Sequence, residues 1–290
     1  MKIINQLKKY IPKSKLHMSA FGIKHILNSN YYNIKLPMNS GTFIENNFFI
    51  KIKEIFYNIL IKKIFRKHIN NNFFIKNYKT LCKIQNRHFN WELIVHSIVF
   101  SILKKYNLLN NNICCIGDGK ANFVSGLLFL NDNQLIIYSV NLPQALIQDY
   151  KIIKKFDLVK DKFIKVVNYE NDLNTKNIKI FLIPANNKKF LLKKNISLFV
   201  NMFSFQEMPY EEIEAYFKII KSNKAYLYSL NSKIKEMYDG TFIKNKNYPW
   251  NLIYKKIFHK EAKFAMYYYN LRYPFIHKKK VKVINSLVKF

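Results

Sequence analysis

The sequence predicts an α/β protein, a Rossmann-like parallel sheet preceded by a helical N-terminal extension, and three observations predict it. Short apolar runs at 113–116, 135–140, 178–183, 196–202 and 225–229 have the length and composition of buried strands. Helix-patterned stretches separate them: 121–130 after the first, one opening at Pro143 after the second, and 209–221 between the last two. The first run ends in Gly117-Asp118-Gly119, a turn that lets the backbone reverse into a helix. Strand–helix alternation at this spacing gives parallel strands with helices on both faces. Pro143 suits a first helical position, where its missing N–H costs nothing. Near the end, 252–258 and 264–269 read as a closing antiparallel pair.

The first 110 residues read differently, with 19 basic residues against three acidic ones, Glu45, Glu54 and Glu92. Over 49–65, apolar residues recur three and four apart with lysines between them, a helical pattern that the asparagines at 70–72 break. A stronger helix is expected over 91–106, stopped by the asparagines at 110–112. Residues 1–88 are therefore read as a basic helical extension and 89–290 as the Rossmann-like domain. A chain of 290 residues is long enough for one large core with such an extension.

The formal net charge is +32, from 49 basic and 17 acidic residues. That balance suits a polyanionic partner, because cationic side chains displace counterions from phosphate. Yet 46 of the basic residues are lysines, and only Arg66, Arg87 and Arg272 are arginines. Lysine is accompanied by Asn, Ile, Phe and Tyr, the residues of AT-rich codons, while arginine, the better bidentate phosphate ligand, is scarce. A biased genome and a nucleic-acid partner both account for the charge. Cys82, Cys114 and Cys115 form neither a disulfide framework nor a zinc spacing, which fits a reducing cytoplasm and no metal. The basic N-terminus lacks the apolar stretch of a signal peptide. The most apolar run, 91–103, is interrupted by Glu92 and His96 and is too short to span a bilayer. Membrane contact is thus expected to be peripheral at most, through the lysines.

Three of the six glycines, Gly117, Gly119 and Gly126, fall within ten residues. A glycine after a buried strand lets a ligand approach the main chain, and the helix that follows offers free N–H groups. Asn122 stands where the dinucleotide fingerprint needs its third glycine, which counts against a nicotinamide cofactor. As a bare turn, the motif needs no ligand at all. The second strand ends at Asn141, a position that faces a cofactor ribose in such sheets and usually carries an acid. Asn bonds a hydroxyl as donor or acceptor, and it caps helices equally well. The 196–202 run leads into Asn201-Met-Phe-Ser204-Phe-Gln206-Glu207, at the strand end where functional groups gather. Glu207 precedes a helix that already carries Glu211, Glu212 and Glu214, so it is either a functional acid or one more carboxylate at a helix start.

Together, Gly117-Asp118-Gly119, the VNLPQALIQDY stretch from Val140, the LFVNMFSFQEMP stretch from Leu198 and the YLYSLN stretch from Tyr226 resemble the sugar O-methyltransferase family. Those enzymes are class I S-adenosylmethionine-dependent methyltransferases, often associated with bacterial surface polysaccharides. Tyr248-Pro249-Trp250, IFH at 257–259 and RYPF at 272–275 are similar too. The resemblance spans about residues 90–280, and N-x-x-S-x-Q-E-M from Asn201 is its most specific element. It implies a class I methyltransferase sheet, S-adenosyl-L-methionine as cofactor and a sugar or glycan acceptor. It also implies a cofactor lining of Gly117, Asp118, Gly119, Asn141, Leu142 and Asn201, with Ala185 and Asn186 near the adenine. The sequence departs from the pattern at Cys115, where many such enzymes carry an acid, at Ala121, the last position of G-x-G-x-G, and at Asn141.

Methylating a hydroxyl requires alignment of the reacting atoms and removal of a proton. Glu207 is the first candidate for the base and His259 the second. Gln206, Trp250, Tyr268 and Arg272 are candidates for an acceptor wall, although each also reads as a packed or surface residue. Two rivals remain. A nucleic-acid methyltransferase is favoured by the charge, but Asn201-Met-Phe-Ser204 is not the Asn/Asp-Pro-Pro-Tyr/Phe clamp that amino-methylating enzymes use on a flipped base. The other is a non-catalytic Rossmann-like domain that holds a partner through its basic N-terminus.

Overall fold

The computed structural model describes residues 2–11, isolated positions between 52 and 66, and 73–85, 87, 89, 91–110, 112–130, 135–155, 158–237, 240–265, 267–272 and 275–290. The side chains of 155 and 267–280 lie outside this set, as does most of the helix expected over 49–65. Among the described residues, the continuous α-helices are α1 (Lys2–Lys8), α2 (Phe73–Ile84), α3 (Trp91–Lys105), α4 (Asn122–Leu130), α5 (Pro143–Lys155) and α6 (Tyr210–Ser222). The strands are β1 (Ile113–Ile116), β2 (Ile137–Asn141), β3 (Ile164–Val166), β4 (Ile180–Pro184), β5 (Leu198–Met202), β6 (Tyr226–Ser232), β7 (Ile234–Glu236) and β8 (Phe242–Lys244). They continue with β9 (Lys255–Glu261), β10 (Tyr267–Arg272), β11 (Phe275–Lys280) and β12 (Val283–Lys289).

Eight strands form one sheet in the order β3-β4-β2-β1-β5-β6-β12-β9. β1 to β6 run parallel, and β12 runs antiparallel between β6 and β9. This is the expected Rossmann-like parallel sheet, with β12 as its one reversed strand and β3 added at its edge. β1 (ICCI) is buried at every position, because both faces of a parallel sheet are covered. Its alternate side chains enter two cores: Ile113 and Cys115 pack with α2 to α5, Cys114 and Ile116 with α6.

α3 is apolar almost all round because it lies inside the molecule, between its neighbours α2 and α4. Its Phe100 stacks on Phe123 of α4, with ring centroids 4.4 Å apart. The described part of 1–88 shares this core through Ile3, Leu7, Ile75, Tyr78 and Leu81. Gly126 serves packing here, since a Cβ on it would lie 2.1 Å from the Tyr78 hydroxyl. That hydroxyl donates to the Asn122 carbonyl at 3.2 Å.

The C-terminal pairing differs from expectation. β9 pairs with β12, not with the strand that follows it, and β10 instead pairs with β11. Val283 to Val288 are all buried, so both faces of β12 are covered, and β6 and β9 flank its two edges. β10 and β11 are adjacent in the chain and satisfy each other as an antiparallel ladder, which leaves β9 free to join the main sheet. β3, β7 and β8 are three residues each, too short for periodicity to register.

Candidate functional site

β1 is flanked by β2 on one side and β5 on the other, so the connections diverge at its carboxyl end. In open α/β sheets this switch point is where ligands bind. The loop there begins at Gly117, whose φ of +68° favours glycine and whose missing Cβ makes room for Ser204. Two left-handed residues follow, Lys120 (φ 66°) and Ala121 (φ 50°). Gly119, between them and Gly117, is different: nothing lies within 4 Å of where its Cβ would be. The space beyond the exposed Gly119 is open.

Asp118 does not face that space. Its carboxylate accepts the N–H groups of Phe123 (2.9 Å) and Val124 (2.7 Å), holding the first turn of α4. Burial pushes its pKa up to about 7, against the pull of those two N–H groups. Asn141 is likewise engaged: its Oδ1 accepts the Leu142 N–H at 2.9 Å and its Nδ2 donates to Asp149 at 3.4 Å. One lone pair and one N–H of the amide remain for a ligand hydroxyl. Leu142 is 37% exposed at the end of β2. Asn141 is level with Pro184, which places Ala185 and the exposed Asn186 beside it, at the end of β4.

At the end of β5, an amide network replaces the open arrangement. Asn201 is wholly buried; its Nδ2 donates to the Ile116 carbonyl, and its Oδ1 accepts the Phe205 N–H (3.1 Å) and Asn231 Nδ2 (2.9 Å). Asn231 in turn accepts the Gln206 N–H, and Gln206 Oε1 accepts the Ser232 N–H at 2.6 Å. Asn201 and Gln206 thus hold the short 3-10 turn Phe205–Glu207 against β1 and β6. The side chain that this turn presents is Glu207. Burial raises its pKa, and Lys235 of β7 partly offsets the rise.

A polar cluster unremarked in the sequence lies beneath the loop. Arg87 donates to Asn122 Oδ1 and to Gln85 Oε1, and Gln85 donates to Ser125. Glu92, in the first turn of α3, is raised by burial and lowered by Lys120 and Arg87. Lys120 is pushed down to about 8 by burial, with Glu92 opposing. One turn on from Glu92, His96 is pushed down to about 3 by burial and stays neutral. Glu92 and His96 are four apart in a mostly apolar helix, hence on one face. That spacing was the available signal for the cluster.

The other candidates lie elsewhere. His259 is on β9, level with Ser286 and through it with Ser229, three strand spacings or about 14 Å from β5. Its Nδ1 is 2.8 Å from Ser286 Oγ, and burial and Lys256 lower its pKa. Trp250 packs against it (5.1 Å), Phe217 (5.3 Å) and Tyr248 (5.8 Å), with its N–H donated to Asn245. Tyr268 and Arg272 are on β10, and their side chains lie outside the described residues. Among the described residues, no group of His, Cys, Asp and Glu is arranged to hold a metal, and no helix is long and apolar enough to cross a membrane.

No family model and no curated protein matches the sequence. Solved structures are similar in fold at low identity. One, concerned with the conversion of a disulfide bond into a thioacetal group during echinomycin biosynthesis, is 9% identical over 66% of this chain and 81% of its own, with a TM-score of 0.45. A precorrin-6y C5,15-methyltransferase from Geobacter metallireducens is 13% identical over 68% and 87%, with a TM-score of 0.41. An S-adenosylmethionine-dependent methyltransferase from Clostridium acetobutylicum is 10% identical over 67% and 90%, with a TM-score of 0.42.

Proposed function

We propose that this chain is an S-adenosylmethionine-dependent O-methyltransferase whose acceptor is a sugar hydroxyl in glycan assembly. The observation that carries the reading is the open space at Gly119, at the switch point of the parallel sheet. The residues around it fit a nucleoside cofactor. Gly119 leaves space against the main chain, Leu142 and Ala185 offer apolar faces, and Asn186 and the spare capacity of Asn141 offer polar edges. S-adenosylmethionine, when bound, supplies an electrophilic methyl group on a sulfonium.

The chain's own part is to hold the acceptor and to take its proton. Glu207 suits the second task, because burial raises its affinity for a proton towards the working pH of a general base. Its turn is fixed by Asn201 and Gln206 rather than left to a mobile loop. A sugar acceptor is supported by the N-x-x-S-x-Q-E-M resemblance at these same positions.

Gly119→Val tests the cofactor site. Its side chain meets open space, so the fold is retained, but it occupies the space the cofactor would need. Calorimetry is expected to show loss of S-adenosylmethionine binding with an unchanged unfolding midpoint; undiminished affinity contradicts the site. The net charge of +32 favours a nucleic-acid acceptor as the second reading. If the lysines are compositional, binding to random RNA is weak and falls steeply with salt. Tight, sequence-selective binding that persists at about 0.2 M salt promotes that second reading.

A further inference from the structure

Asp149 is 1% exposed and projects from α5; it falls within the stretch from Val140 that carries the resemblance, but no role attaches to it there. Its Oδ1 accepts the N–H of Ala121 at 2.7 Å, at the left-handed end of the loop after β1. Its Oδ2 accepts Asn141 Nδ2 at 3.4 Å, and Asn141 Oδ1 accepts the Leu142 N–H at 2.9 Å. One unbroken chain of hydrogen bonds therefore runs from the β1 loop, through a buried carboxylate, to the end of β2. These are the two segments between which the proposed cofactor lies.

We propose that Asp149 is a positioning residue: it fixes the β1 loop and the end of β2 relative to each other, and thereby sets the affinity for the nucleoside cofactor held between them. The inference rests on reading this cleft as a cofactor site. A carboxylate suits the position because it only accepts, and both of its neighbours donate. A buried acid with both oxygens engaged is held rigidly, so it presets the spacing before any ligand arrives. It also accounts for Asn141 at the place where an acid is usual. With the carboxylate behind it on α5, the strand end must supply the amide donor.

Asp149→Asn breaks this chain in a specific way. The substituted amide must turn its oxygen to the Ala121 N–H, which sets its NH₂ against that of Asn141. Flipping Asn141 only moves the conflict, because its NH₂ then faces the Leu142 N–H. The exchange Asn141→Asp with Asp149→Asn removes the conflict. The carboxylate, now on the strand end, accepts from both the α5 amide and the Leu142 N–H.

The experiment measures S-adenosylhomocysteine affinity by calorimetry and amide hydrogen exchange at Ala121 and Leu142 in ligand-free protein. For Asp149→Asn, affinity is expected to fall at least about tenfold, and both amides to exchange at least about tenfold faster, with the β1 amides unchanged. The double exchange is expected to restore slow exchange and wild-type affinity or better. Unchanged amides in the single variant overturn the proposal, as does a folded double exchange that is as impaired as the single. If Asp149→Asn does not fold, the double exchange alone decides by the same two readings. Wild-type protein that binds no S-adenosylhomocysteine overturns the cofactor reading; the exchange rates of Ala121 and Leu142 then still judge the coupling.

Discussion

Glu207→Gln is expected to lower turnover on the proposed sugar acceptor by about 10²–10⁴-fold and to leave cofactor affinity nearly unchanged. Glutamine keeps the shape and hydrogen-bonding reach of the side chain but cannot take a full proton. The turn that carries it is held by Asn201 and Gln206, neither of which is altered, so the backbone stays in place. If Glu207 instead orients the acceptor, the Michaelis constant rises while turnover persists. If it is one more acid at the start of α6, a stability loss of roughly 0.3–1 kcal/mol is the whole effect. The pH profile adds a signed check. Burial raises the Glu207 carboxyl, so activity is lost as pH falls through a limb above the ordinary carboxylate range. Lys235→Met removes the offsetting cation and moves that limb to higher pH.

Gly117→Ala destabilises the protein by about 2–5 kcal/mol, a large share of the stability of a typical domain. Two costs combine. The left-handed φ of +68° carries roughly 1–2 kcal/mol for any residue with a Cβ. The added methyl would also fall 1.9 Å from Ser204 Oγ and 2.5 Å from Ser204 Cβ, and overpacking of this kind costs about 1–3 kcal/mol. Because the clash includes Ser204 Cβ, rotating the hydroxyl does not relieve it. Gly117→Ala combined with Ser204→Gly recovers the steric part alone. Gly119→Ala, two residues on, stays within about 0.5 kcal/mol of wild type. Urea unfolding midpoints of the four proteins separate these contributions.

The parallel core was legible because each strand is a continuous apolar run and each helix carries its own pattern. Expected and observed boundaries differ by one or two residues at β2, β4 and β5. What lay beyond the sequence is where a strand finds its partner. β12 reads as an ordinary apolar segment, and only burial on both edges makes it interior. At the site, the turn after β1 was legible, but the direction of its side chains was not. Asp118 turns inward onto α4, and Asn201 and Gln206 bond to backbone groups from distant segments. Such contacts depend on which strands become neighbours. Trp250 and His259 come together only because β9 pairs with β12 and so faces the aromatic residues beside α6. Asp149 falls in the stretch from Val140, but nothing there marked its role, since its partners are 28 and 8 residues away.

The most direct measurement is a crystal structure of the protein soaked with S-adenosylhomocysteine. The expected result is ligand density at the carboxyl ends of β1, β2 and β4, against Gly119, Leu142 and Asn186, with the Asp149 bonds to Ala121 and Asn141 intact. Density at another site, or an empty cleft in crystals soaked well above the dissociation constant measured in solution, contradicts it.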